Sequence, residues 1–313
     1  MKAVSYADGK VKTQEIQNPK GEGILIDIVS AGICGSDLHL LKSGAHSPHV
    51  AGHEISGTTK NGKNVAIEPI ISCSTCDNCD SGNYHLCKNN REGLGMSING
   101  GMAEQIIVPE GCVVELDPKI PLKDACLVEP LAVALHGLIQ TQTKDSHRVA
   151  VIGGGSIGLC TVAAAKFIGC KVDLYAKYEH QSLAGEKLGA GQLSGKYDRV
   201  IDCVGNNSSL ELSAKNAKPG SWIVILGIPF EGINLPGLKI IMNEIKIFPS
   251  IMYNSTNGVK DFEVAANVLT KYPDIGKTII THRFSLDNSE EAFKIAGDKE
   301  SESIKVVFDP SIK

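Results

Sequence analysis

Cys73, Cys76, Cys79 and Cys87 follow one another as C-x2-C-x2-C-x7-C, a spacing at which four thiolates can close tetrahedrally around one Zn²⁺. Such a set has no open coordination position, so it fixes a loop and leaves chemistry to other residues. Three further segments concentrate metal-ligand types: Cys34-Gly35-Ser36-Asp37-Leu38-His39, Gly52-His53-Glu54 and Glu129-Pro130-Leu131. A thiolate, an imidazole and a carboxylate can hold a second Zn²⁺ and still leave room for water or substrate, which is the composition of a catalytic site. Taken singly, His53 beside Glu54 also reads as a buried hydrogen-bonded pair, Glu129 as a residue opening a helix and Cys34 as a core thiol. A different chemistry is indicated by Gly153, Gly155 and Gly158, a G-x-G-x-x-G directly after an apolar strand and at the start of a helical stretch. These glycines permit a tight turn and close approach of a pyrophosphate, and the helix opening at Ser156 and Ile157 offers free N–H groups and a positive dipole end.

The end of the next strand chooses between the two nicotinamide dinucleotides. An acid there binds the ribose 2′-hydroxyl of NAD, and a basic residue suits the 2′-phosphate of NADP. Asp173 lies too early in the strand to reach the ribose, whereas Ala176 followed by Lys177 favours NADP over NAD. Lys177 and His180 also read simply as solvated surface residues.

The elements that must position these groups fall into two rhythms. Residues 1 to about 115 alternate short apolar runs (Ile24–Val29, Asn64–Ile71, Glu104–Val108) with Gly, Pro and Asn turns, as in an irregular β-rich domain. From Arg148 strands and helices alternate: Val149–Ile152, Ile157–Phe167, Val172–Ala176, Arg199–Val204 and Trp222–Leu226, the βαβ pattern of a parallel sheet covered on both faces. Helical stretches near Lys260–Leu269 and Ser289–Ala296 and a strand at Ile304–Phe308 close the chain. At 313 residues two domains are expected, because single cores stop growing at roughly 250 to 300 residues. An apolar content of 42% with 21% charged residues is that of a soluble globular protein. No apolar run is long enough to span a membrane and the N-terminus lacks a signal-peptide layout, so a cytoplasmic location is expected. A net charge of −4 gives no reason to expect nucleic acid as a partner, and the cysteine segment, with Asp77, Asp80 and Glu92 against Lys88 and Arg91, lacks the basic stripe of a nucleic-acid-binding zinc module. Cys112, Cys126, Cys160, Cys170 and Cys203 lie in apolar stretches and read as core packing.

In combination these segments resemble the zinc-dependent medium-chain dehydrogenase/reductase family, which includes alcohol, sorbitol and threonine dehydrogenases, over nearly the whole chain. Ala31–Asp37 is similar to the family's first zinc segment, Ala51–Glu54 to its second, Gly100–Glu104 to its Gly-Gly-aromatic-Ala-Glu segment, and Glu129–Val133 to the third zinc segment of the polyol-type branch. The resemblance implies Cys34 and His53 as direct ligands of a catalytic zinc, Glu54 as a ligand or close neighbour, and Glu129 as a ligand that exchanges with water. It implies a structural zinc at the four cysteines, giving two zinc ions per chain. It further implies that Ser36 carries the substrate proton, that His39 passes it toward solvent, and that Asp37 orients His53. The fold so implied is α/β: a GroES-like β-rich catalytic domain over 1–136, a Rossmann doubly wound parallel-sheet domain over 137–254, and a return to the catalytic domain over 255–313. The implied reaction is hydride transfer between NADP(H) and the hydroxyl-bearing carbon of a small-molecule alcohol, polyol or sugar, in a homodimer or homotetramer joined through the β-rich run Lys239–Met252. Two departures stand out: the stretch after Glu54 is shorter than the family's hairpin, and Ala176 replaces the usual NAD-selecting Asp. The alternatives are a zinc-free NADPH-dependent quinone or enoyl reductase of the same superfamily, and a non-catalytic zinc- and dinucleotide-binding protein.

Overall fold

A computed structural model describes residues 1–312, which divide into two compact units, 1–129 with 254–313 and 130–253. The first unit is built on a seven-stranded sheet. Its strands run in the order Ile280–Phe284, Lys305–Phe308, Ile24–Gly32, Glu54–Thr59, Asn64–Ile67, Val113–Glu115, and Gln105–Val108 also pairs with Ile24–Gly32. The C-terminal strand thus lies antiparallel to Ile24–Gly32, with Val307 opposite Gly32, and on the other side Gly32 faces Glu54. Tyr6, Ile26, Ile55, Ile67, Met102, Phe293 and Phe308 are among the residues that fill one core beside this sheet. The run expected from Asn64 to Ile71 is two strands, Asn64–Ile67 and Ile70–Ser72, because Pro69 has no N–H to continue a ladder.

The second unit is a six-stranded sheet, parallel throughout, ordered Gly191–Gln192, Lys171–Tyr175, Arg148–Ile152, Tyr197–Asp202, Ala217–Ile225, Lys246–Pro249. Val149, Ala150, Val151 and Ile152 are all buried, as a central parallel strand covered on both faces requires. The strand order reverses beside Arg148–Ile152, so the glycine turn that follows it stands at a switch point, where ligands of such sheets bind. Its last glycine is obligatory: a Cβ at Gly158 would fall on the carbonyl oxygen of Gly153 and push the Ser156–Ile168 helix off the strand.

One expected element differs. The run Lys239–Met252 is a strand only over Lys246–Pro249; Gly237–Met242 is a helix, in which Ile240 turns into the core while Leu238, Ile241 and Met242 face outward. The apolar residues are spaced by helical turns there, and the run's overall β character concealed it. Among the described residues no helix is long and apolar enough to cross a membrane.

Candidate active site and metal centres

The four cysteines come together. Sγ of Cys73 is 3.9 Å from that of Cys79, and Cys76 lies 3.5 Å from Cys79 and 4.0 Å from Cys87. Sulfurs on a zinc tetrahedron with bonds of about 2.3 Å stand about 3.8 Å apart, whereas a disulfide brings them to about 2.05 Å. The spacing therefore fits a tetrahedral ion, and all ten cysteines are free. Backbone N–H groups support the sulfurs, that of Thr75 on Cys73 holding its thiol down at about 6. The lobe is moored to the segment that returns at residue 254. Ser255 donates its N–H to the Gly82 carbonyl at 3.0 Å, and Asn254 Nδ2 donates to Asn83 Oδ1 at 2.9 Å. Buried Glu68 accepts from the Tyr84 hydroxyl and, at 2.6 Å, from Lys260 Nζ.

The second donor group is set by three elements. Cys34 caps the Gly35–Lys42 helix at the end of the Ile24–Gly32 strand, and its N–H donates to Asp37 Oδ2 at 2.9 Å. His53 lies on the turn into the Glu54–Thr59 strand, tied by the N–H groups of Gly101 and Met102 to the carbonyls of Gly52 and Ala51 at 2.9 and 2.8 Å. Cys34, His53 and Glu54 each present a donor atom within 4.8 Å of the others, and among the described residues Glu129 stands outside that mutual distance. His53 Nδ1 is buried and has no hydrogen-bond partner. Thiolate, imidazole and carboxylate so arranged fit Zn²⁺.

Electrostatics single out the same place. Burial works against a charged His53 ring, but Cys34 and Asp37 outweigh it and hold its pKa well above the ordinary histidine range. Burial pushes the Asp37 carboxyl up, partly offset by His53. It also pushes Glu129 up to about 7, with His53 lowering and Glu54 raising it. Asp37 Oδ1 is 4.0 Å from His53 Nδ1, too far for a hydrogen bond, so Asp37 fixes the Cys34 backbone and does not orient the ring directly. Ser36 and His39, three residues apart on the Gly35–Lys42 helix, share one helical face and are partly exposed.

One participant was missing from the sequence reading. Lys305 Nζ donates to Glu54 Oε1 and Oε2 at 2.6 and 2.8 Å, with both residues buried. Burial alone would lower its pKa, and the Glu54 carboxylate reverses that. The signal was a lysine inside an otherwise apolar strand, which is rare unless the charge is paired.

In the second unit the glycine turn ends with Ser156 Oγ buried and unpartnered at the first turn of its helix, where free N–H groups point outward. This fits a pyrophosphate. Asp173 is committed elsewhere, accepting from Arg148 Nη2 at 3.0 Å and from the Tyr197 hydroxyl at 2.8 Å. At the carboxyl end of its strand a cavity of about 280 Å³ is lined by Tyr175, Ala176, Ser182, Glu186 and Gln192 among others. Lys177 is exposed, its Nζ 5.6 Å from the Tyr178 ring centroid.

A GroES-like β unit carrying a mixed thiolate, imidazole and carboxylate donor group, together with a Rossmann sheet bearing the glycine turn, defines the class of metal-dependent nicotinamide dehydrogenases. Residues 20–118 match the alcohol dehydrogenase GroES-like domain and residues 191–271 the zinc-binding dehydrogenase domain. The chain is 27% identical to sorbitol dehydrogenase of Bacillus subtilis over 96% of its own length and 94% of that protein. Its fold is similar to galactitol-1-phosphate dehydrogenase from Escherichia coli, with a TM-score of 0.89 at 27% identity over 99% of this chain and 100% of that one. It is also similar to a structure from Sinorhizobium meliloti, described as a zinc-binding dehydrogenase and bound to NADP, with a TM-score of 0.86 at 28% identity over 99% of each chain. The chain belongs to the zinc-dependent medium-chain dehydrogenase family.

Proposed function

We propose that this protein reversibly transfers hydride between NADP(H) and the hydroxyl-bearing carbon of a polyol, sugar or related alcohol, with a catalytic zinc held by Cys34, His53 and Glu54, Glu129 acting as an exchanging ligand, and a structural zinc held by Cys73, Cys76, Cys79 and Cys87. The observation that carries this reading is the three-residue donor group of Cys34, His53 and Glu54. When bound, the zinc supplies Lewis acidity toward a substrate hydroxyl and the nicotinamide supplies the hydride acceptor. The chain's own residues do the rest. Cys34 and His53 fix the ion, Asp37 holds Cys34 in place through its backbone N–H, and Glu129 stands in electrostatic reach of His53 and Glu54. Ser36 Oγ takes the hydroxyl proton, and His39, one helical turn further, hands it to solvent. The turn Gly153–Gly158 with Ser156 and Ile157 binds the pyrophosphate.

Sorbitol and galactitol 1-phosphate, named in the two relatives, support polyols as the substrate class. The test is the initial rate at the nicotinamide absorbance band with a panel of polyols, sugar phosphates and secondary alcohols, with and without a zinc chelator. Chelator-sensitive oxidation of a polyol supports the reading; chelator-resistant reduction of enones overturns it in favour of the zinc-free branch.

Ala176 and Lys177 support NADP, because the edge beside the cavity lacks an acid at the strand end and offers an exposed ammonium. One observation favours NAD: the carboxylate of Glu186 lines the same cavity and suits ribose hydroxyls better than a phosphate. Lys177→Glu is expected to lower kcat/KM for NADP about 10–100-fold relative to that for NAD, the loss of a charged pair of about 1.4–2.8 kcal/mol. An unchanged ratio assigns the choice to Glu186 and NAD. The free cysteines suit a reducing cytoplasm. A homodimer or homotetramer through the outer strand Lys246–Pro249, beside exposed Leu238, Ile241 and Met242, completes the proposal.

A further inference from the structure

We infer that Lys305 is a positioning residue for the catalytic metal: its ammonium holds the Glu54 carboxylate and thereby sets how far that carboxylate engages the ion. The inference rests on the reading of Cys34 and His53 as metal ligands.

Three strands lie abreast here, Lys305–Phe308, Ile24–Gly32 and Glu54–Thr59, with Gly32 in the middle facing Glu54. Because Gly32 has no side chain, Lys305 reaches across it; a Cβ on Gly32 would fall on the Glu54 carboxylate. The ammonium spends two donors on Glu54 Oε1 and Oε2, at 2.6 and 2.8 Å, and its third on the Ile33 carbonyl at 3.0 Å. All its protons are satisfied, so nothing else competes for the cation. Yet a Glu54 oxygen lies within 4.8 Å of the Cys34 and His53 donor atoms, inside the span of one coordination shell. The carboxylate therefore faces two cation positions, one of them filled by Lys305.

Charge explains why such a counterweight is useful. Cys34, Asp37, Glu54 and Glu129 are all acidic groups of this pocket, and a dication alone leaves it net negative when they are ionised. Lys305 adds one positive charge beside Glu54 and the Ile33 carbonyl. It holds Glu54 and so would limit how closely the carboxylate engages the ion. Without Lys305 the metal would be the only cation facing Glu54, and the carboxylate would engage it more closely.

Lys305→Met keeps the side chain's length and removes its charge. The test uses the full chain loaded with Co²⁺, with the bands of the cysteine lobe subtracted by means of Cys34→Ala. In Lys305→Met the d–d spectrum is expected to change and release of Co²⁺ to a chelator to slow about tenfold or more, in the 10–100-fold range of residues that orient metal ligands. The double variant Glu54→Gln/Lys305→Met has no carboxylate to move and no unpaired buried charge, and is expected to lose the slowing seen in the single variant. Binding of NADPH, monitored by fluorescence, verifies that each variant is folded. Unchanged spectrum and release in Lys305→Met overturn the inference, as does the same altered release in the single and double variants. If the wild-type chain shows no Co²⁺ spectrum that Cys34→Ala abolishes, it is the ligand reading itself that fails.

Discussion

Cys34→Ala is expected to remove one of two zinc equivalents and to lower kcat by about 10³-fold or more while leaving the affinity for the dinucleotide within about twofold. A metal acting as a Lewis acid contributes several kcal/mol of charge stabilisation, and each 1.36 kcal/mol is a factor of ten in rate, so loss of about 4 kcal/mol gives that size of effect. Two neighbouring acids are committed elsewhere: Asp37 is bonded to the Cys34 backbone, and Glu54 is held by Lys305. The dinucleotide is spared because its glycine turn belongs to the other compact unit. Elemental analysis, turnover and fluorescence titration of the reduced dinucleotide measure the three quantities separately. Full turnover by a chain that has lost the ion would remove the metal from the reaction.

A different loss follows from Cys76→Ala. The stretch 73–90 has almost no core of its own, Leu86 is half exposed, and its helix Asp77–Asp80 is a single turn. With one sulfur gone the remaining three crowd one another without a fourth ligand to close the tetrahedron, and the ion leaves. Structural zinc in small peptides is worth roughly 10–16 kcal/mol of folding energy. Here the moorings to Glu68, Asn254 and Ser255 retain part of the lobe, so a smaller net loss of about 4 kcal/mol is expected. At about 2–4 °C per kcal/mol for units of this size, Tm falls by roughly 10 °C. Limited proteolysis should then cut between residues 73 and 90 before any other site. An unaltered Tm with an intact lobe would assign the four cysteines a role other than holding the fold.

What could be read in the sequence is what is local. The cysteine spacing, the glycine turn after Val149–Ile152 and the alternation of strand and helix are encoded within short windows, and the structure places each of them as a compact element. Asp173, read as lying too early in its strand to reach the ribose, accepts from Arg148 and Tyr197, which lie on other strands and leave no mark in the nearby sequence. The resemblance implies Asp37 against His53; its Oδ2 accepts from the Cys34 N–H, while its Oδ1 stands 4.0 Å from His53 Nδ1. The helix Gly237–Met242 was hidden by β-prone side chains whose three- and four-residue spacing outweighed their propensity. Lys305 was illegible for a stronger reason: its partner is 251 residues away, and only the strand order Lys305–Phe308, Ile24–Gly32, Glu54–Thr59 brings the two together.

That strand order also bears on how the chain is made. Residues 130–253 form a complete unit and can fold as soon as they leave the ribosome, whereas the unit begun by residues 1–129 stays unfinished until the strands at 280–284 and 305–308 have been synthesised. Both donor sets are therefore synthesised long before the partners that meet them in the fold, Lys305 for Glu54 and Asn254 for the cysteine lobe. A nascent chain arrested near residue 300 would carry both donor sets without Lys305, so the last strand is what completes the surroundings of Glu54.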